Sequence, residues 1–311
     1  MGTATQDVIA SPSVRKLAGD RGVDLGALAR DLGRETISRE DVLGTAATPA
    51  GASGSSAGRA PASEPGPRAD TAYWQVDHAA YGPVREEPMS RFAQVAAQNL
   101  AAAQALIPAV THHDRADLTA VEAFRAEVRD EARAQGVKLT TLAFHVKALA
   151  RTLRAFERFN ASLSADGQTL ILKDYVHVGI AVDTAFGLMV PVIRDADRKG
   201  LLQIAAEIAD LAGRAQARKV KPDEMGGASM TISNLGGIGG TAFSPIVNPP
   251  EVAILGITRT EIVPVWDGDA FQPRPMAPLD LSYDHRVING ADAARFLTAY
   301  AQAIADPRRL L

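Results

Sequence analysis

From Thr45 to Ala72 the chain is built almost entirely of alanine, proline, glycine and serine, with no large apolar residue to bury and no hydrophobic periodicity. Such a stretch cannot offset the conformational entropy lost on ordering it, so it reads as a flexible linker. A hydrophobic core can form before it or after it, but not through it. About 28 residues of coil reach roughly 30 Å, from ~5–6 Å times the square root of length, and proline extends that reach. The expected divisions of the 311-residue chain are a small unit over 8–44, the linker over 45–72 and a large domain over 73–311.

The small unit shows helical spacing. Ser11-Pro12 fits an N-cap followed by proline at the first helical position, and Val14, Leu17 and Ala18 fall on one face. Leu25, Leu28 and Leu32 continue an apolar face. Ser38 opens a further helix, with Asp41 three residues on as a capping box.

After Tyr73 the composition becomes that of a globular domain. The spacing predicts helices over 90–105, 119–135, 142–156, 201–215 and 291–304. Phe92, Val95, Ala96 and Leu100 form the apolar face of the first. Strand candidates are 108–113, 169–172, 176–182, 188–193, 230–233, 252–258 and 279–283. Strands and helices interleaved in this way, with antiparallel hairpins, predict a mixed-sheet α/β sandwich.

Composition excludes several functions. There is no cysteine, hence no disulfide, thiolate metal site or cysteine nucleophile, and this suits a reducing cytoplasm. A formal net charge of −3 gives no electrostatic reason to expect nucleic acid. No apolar run approaches the ~20 residues that span a bilayer, and the first residues lack the pattern of a secretory signal. Adjacent histidines, His112 and His113, point to opposite faces of a strand and make no metal site; no metal is expected. His145 and His177 read as structural. Gly236–Gly240 follows a strand but opens no helix, which argues against a dinucleotide loop and for a backbone that a long, thin substrate approaches closely.

The stretch Leu281–Gly290, LSYDHRVING, carries the chemistry. It sets His285 between Asp284 and Arg286 after an apolar run, with Asn289 and Gly290 as a turn before an alanine-rich helix. Asp284 and Arg286 are expected to pin the loop by pairing with other groups. A fixed neutral imidazole is a good general base near pH 7.

This stretch resembles the D-H-R-x-x-D-G signature of the dihydrolipoamide acyltransferases, the core components of 2-oxo acid dehydrogenase complexes. Asn289 stands where the commoner pattern has Asp. The resemblance extends from Val84 to Leu311 through REEPMSRF, FNASL, HVGIAVDTAFGLMVPVI, TISNLGGIGGTAFSPIVNPPEVAILGI and DPRRLL. It implies a chloramphenicol-acetyltransferase-like fold and acyl transfer between the thiols of coenzyme A and dihydrolipoamide, with acetyl as first choice. By resemblance His285 is the base, Ser233 stabilises the oxyanion and Asn289 belongs to the catalytic set. Arg85, Asp183 and Asn234 match positions that contact coenzyme A.

Residues 8–44 resemble the family's peripheral-subunit-binding domain, which holds the decarboxylase or dihydrolipoamide dehydrogenase; Arg15, Lys16 and Arg39 match its basic positions. A homotrimer with its active-site channel between subunits is implied, assembled into a larger hollow core through the terminal Leu310 and Leu311, which a lone trimer would expose. No Asp-Lys-Ala-like turn precedes Val84, where the only lysine is Lys16, so the lipoyl group is expected in trans, with none bound covalently. Two other readings stay open: a non-catalytic scaffold or adaptor, and a coenzyme A-dependent acyltransferase on another acceptor.

Overall fold

The computed structural model describes residues 8, 10–32, 34, 36–44 and 76–310. The linker lies outside them. Two units are separated between Val84 and Arg85.

In the first unit, helix α1 (Pro12–Arg21) starts at Ser11, whose side chain accepts from Val14 N, and stops at Gly22, held at φ 67°. Only glycine adopts that left-handed conformation without strain. Asp24 accepts from the N–H groups of Gly26 and Ala27 at the start of α2 (Leu25–Leu32). Ser38 and Asp41 bond each other reciprocally at the start of α3 (Arg39–Gly44). Val14, Ala18, Leu28, Ala29, Ile37 and Val42 make its small core.

The second unit is a mixed α/β fold. Its strands are β1 (Ala109–Asp117), β2 (Ala161–Leu163), β3 (Leu170–Leu172), β4 (Val178–Thr184), β5 (Gly187–Met189), β6 (Val192–Ile193), β7 (Met230–Asn234), β8 (Ala253–Ile257), β9 (Glu261–Trp266) and β10 (Phe271–Asp284). The main sheet runs β1-β10-β8-β7-β4-β5, with β6 on β4 and β9 on β10; β2 and β3 pair separately. Only β4–β7 and β7–β8 are parallel.

Helices α4 (Arg91–Leu106), α5 (Thr119–Glu127), α6 (Arg129–Ala134), α7 (Thr141–Ala155), α8 (Leu201–Gln216) and α9 (Gly290–Ala305) complete it. Strand alternation gives the sheet two unlike faces. One carries Ile232, Leu255, Leu279, Leu281 and Tyr283, in one core with α7 and α9. Phe159 and Phe296 stack there with centroids 4.0 Å apart. The other face carries Thr231, Ser233, Gly256, Asp280 and Ser282, small or polar residues that a site can use.

Two expectations are corrected, over 119–135 and at Leu310, and one apolar helix face lies where no core covers it. Residues 119–135 are two helices, not one, broken at Val128. The apolar face of α4 is not core: Phe92, Val95 and Leu100 are exposed and only Ala103 is buried. Leu310 is not left exposed at the terminus, because a 3-10 turn, Pro307–Leu310, folds it into the unit's own core. Leu311 lies outside the described residues.

Candidate active site

His285 follows the longest strand, and backbone bonds hold it on both sides. Asp284 N donates to Val252 O at 2.8 Å and His285 N to Pro108 O at 3.1 Å. Asp284 and Arg286 pair with each other rather than with other groups. Arg286 Nη2 lies 2.6 Å from Asp284 Oδ2, Nε lies 3.0 Å from Oδ1, and the Arg286 N–H donates to Oδ1 at 3.0 Å. This two-pronged pair on a buried carboxylate braces the loop on either side of His285 and raises the guanidinium's pKa, first through the hydrogen bond itself. The His285 side chain is exposed, with the Tyr283 ring 5.9 Å away.

Asn289 is the N-cap of α9. Its Oδ1 accepts from Asp292 N at 2.8 Å and its Nδ2 donates to Asp292 Oδ2 at 2.7 Å. The second bond explains an amide here, since a carboxylate would face Asp292 with like charge.

Ser233 and Asn234 end β7. Asn234 Oδ1 accepts from Gly236 N at 2.9 Å, turning the chain into the glycine-rich loop. Asp183 lies near the end of the parallel neighbour β4, with Ala181 opposite Ser233. Ser233, Asn234 and Asp183 are therefore gathered at one end of the sheet. Arg85 opens the second unit in an exposed segment outside any helix or strand, and no recorded bond ties it to them.

His285 is at the other end. Asp280 is opposite Gly256, and Gly256 opposite Ser233. Ser233 is thus level with Asp280, two strands away, while His285 lies five residues further along. At ~3.3 Å per residue and ~4.8 Å between strands, the two are roughly 19 Å apart.

Of the other histidines, His145 is buried against Tyr300 OH at 2.5 Å, and burial takes its pKa down to about 3. His177 Nδ1 accepts from Asp195 N at 2.9 Å. His113 Nδ1 lies 2.6 Å from Asp280 Oδ1. No group of three or more potential metal ligands gathers among the described residues.

One feature escapes the sequence. A groove of about 980 Å³ runs between α4, the β4–β5 turn and the Val247–Val252 loop, and reaches Asp284 and Arg286. Phe92, Val95, Leu100 and Phe186 line it, so the exposed face of α4 is a wall of the groove. Glu251 borders it, 5% exposed, and burial raises its carboxyl to about 7. An apolar run followed by two prolines gives no sign that a buried acid stands there.

Residues 81–311 match the catalytic domain of the 2-oxoacid dehydrogenases acyltransferases. The chain is 49% identical over 305 residues to the dihydrolipoyllysine-residue acetyltransferase component of the pyruvate dehydrogenase complex of Azotobacter vinelandii, covering 98% of this chain and 47% of that protein. It spans about half the length of the curated relatives it matches. Two solved structures align at 54% identity and TM-score 0.74, over 76% of this chain and 97% of theirs. One is the Azotobacter vinelandii dihydrolipoamide acetyltransferase, studied for the role of a serine, a histidine and an asparagine in its mechanism. The other is the cubic core of the pyruvate dehydrogenase multienzyme complex. With the family's catalytic domain matched over most of its length, this chain belongs to the 2-oxoacid dehydrogenase acyltransferases.

Proposed function

We propose that the chain transfers an acyl group, with acetyl the first choice, between the thiols of coenzyme A and a dihydrolipoyl group in a 2-oxo acid dehydrogenase complex. One observation carries the reading. Ser233, His285 and Asn289 have the same spacing as the serine, histidine and asparagine named for the Azotobacter vinelandii enzyme's mechanism.

Thioester exchange needs a base to make a thiolate and a donor for a transient oxyanion. His285 takes the proton from the attacking thiol. The thiolate adds to the thioester carbonyl, and the Ser233 hydroxyl donates to the oxyanion. Collapse expels the other thiolate, which recovers the proton from His285. Asn289 caps α9 and so fixes the loop that carries the base. Asp183 and Asn234 contact coenzyme A beside Ser233, and Arg85 joins them from its exposed segment. The apolar groove beside Asp284 and Arg286 suits a thin, largely aliphatic chain.

Acyl transfer requires reacting atoms within about 3–3.5 Å, so residues roughly 19 Å apart in one protomer cannot serve one bond. This supports a homotrimer whose channel joins His285 of one subunit to Ser233 of the next, assembled into a larger core like that of the cubic relative. Residues 8–44 dock the decarboxylase or dihydrolipoamide dehydrogenase; Lys16 and Arg39 are exposed for an acidic partner. Arg15 is committed within the unit, its guanidinium donating to Val8 O and Ala10 O.

The test is thiol exchange between acetyl-CoA and free dihydrolipoamide by the purified protein. Turnover lost in His285→Ala supports the reading. No turnover in the unaltered protein would favour a scaffold.

A further inference from the structure

We infer that His113 and Asp280 form a positioning pair that sets the loop after Ser233, and through it the affinity for the thiol substrate on the Ser233 side of the site. The inference rests on the acyl-transfer reading and deepens it.

Asp280 is an acid inside an apolar strand, 1% exposed. A buried carboxylate is costly unless it is hydrogen-bonded. Asp280 has two recorded partners, and they lie on different elements. His113, level with it on β1, approaches Oδ1 at 2.6 Å. Phe243 N donates to Oδ2 at 3.2 Å. With Asp280 ionised, His113 Nδ1 carries the proton and donates.

Phe243 belongs to the glycine-rich loop that leaves Ser233 and returns over the sheet. Its ring lies against Gly256, where a Cβ would come within 2.7 Å of it. Gly256 stands between Asp280 and Ser233 in the same row. The ring therefore covers the strand position next to the proposed oxyanion donor. Thr258 Oγ1 donates to Thr241 O at 3.2 Å and fastens the same loop. The chain of contacts runs from His113 to Asp280, to the Phe243 N–H, and to a ring laid beside Ser233. Nothing in it touches the reacting atoms, so the pair acts by placing the loop.

Replacing His113 by phenylalanine leaves the carboxylate buried with one neutral donor and loosens its hold on Phe243. In steady-state thiol exchange by the assembled protein, His113→Phe should raise KM for one of the two thiol substrates about tenfold while kcat stays within about twofold. His113→Gln, which keeps an N–H donor, should remain near the unaltered protein. Adding Asp280→Asn to His113→Phe removes the orphaned charge, keeps an oxygen to accept from the Phe243 N–H, and should recover most of the lost affinity. Phe243→Ala, on a partly exposed loop, should reproduce the KM rise and decides the matter should His113→Phe not fold. Unchanged KM values in His113→Phe, or in Phe243→Ala in its place, would overturn the inference. So would a double variant no better than His113→Phe. The unaltered protein and Ser233→Ala measured in parallel separate the two levels: no thiol exchange by the unaltered protein defeats the acyl-transfer reading whatever His113→Phe does, and full turnover in Ser233→Ala removes the serine's part in it.

Discussion

Ser233 and His285 stand at opposite ends of one sheet, roughly 19 Å apart by strand register. The parallel pairing of β7 with β8 and the antiparallel pairing of β8 with β10 impose this, because they send the ends of β7 and β10 in opposite directions. The chain therefore holds the proposed base at one end of the sheet and the proposed hydroxyl donor at the other.

Ser233→Ala should lower turnover about 10²–10³-fold, the usual cost of one oxyanion donor. Ser233 is only partly buried, so stability should change by less than about 0.5 kcal/mol. Steady-state kinetics and a thermal melt on the same sample check both. A variant that slows only in proportion to its unfolding would remove the serine's catalytic role.

Asn289 should tolerate neither alanine nor aspartate. Alanine removes the cap bond to Asp292 N and should cost about 1 kcal/mol. Aspartate keeps the cap but sets a carboxylate against Asp292 in place of the 2.7 Å amide bond. Its melting temperature should therefore recover in acid, as the pair takes up a proton, whereas that of Asn289→Ala should not. Equal pH profiles for the two variants would exclude repulsion from Asp292.

Local signals were legible in the sequence wherever short-range chemistry decides. Ser11, Ser38 and Ser90 cap the helices their spacing predicts, and Asn289 opens α9. Long-range pairing was not legible. Strand β9 contains Pro264, which argues against a strand; it survives because β9 pairs only with β10 and forms an edge. The break at Val128 has no glycine or proline to announce it. The apolar face of α4 has a helical period whether it meets a core or lines a groove. Strand order alone separates Ser233 from His285, and no motif encodes strand order.

Glu251 makes stability pH-dependent. Burial holds its carboxyl up to about 7, against 4.5 ordinarily, although Thr231 Oγ1 and Asn248 Nδ2 both donate to Oε1. Between those values the folded chain keeps a proton that the unfolded chain releases. The folded state is thus favoured most below about 4.5 and loses stability as pH rises through about 7. At about 1.4 kcal/mol per unit, the loss is about 3–4 kcal/mol at most. Glu251→Gln keeps the Oε1 acceptor and cannot ionise. Denaturant titrations should find it more stable than the unaltered protein at pH 8 and similar at pH 5. An equal difference at both pH values would contradict the assignment.

The most direct test of a shared site is subunit mixing. His285→Ala and Ser233→Ala proteins, each expected to be severely slowed alone, are dissociated, mixed and reassembled, and thiol exchange between acetyl-CoA and dihydrolipoamide is measured. If the base and the oxyanion donor come from different subunits, hybrids contain some channels with both residues intact, and part of the activity returns. Verified subunit exchange with no recovery of activity would contradict the account.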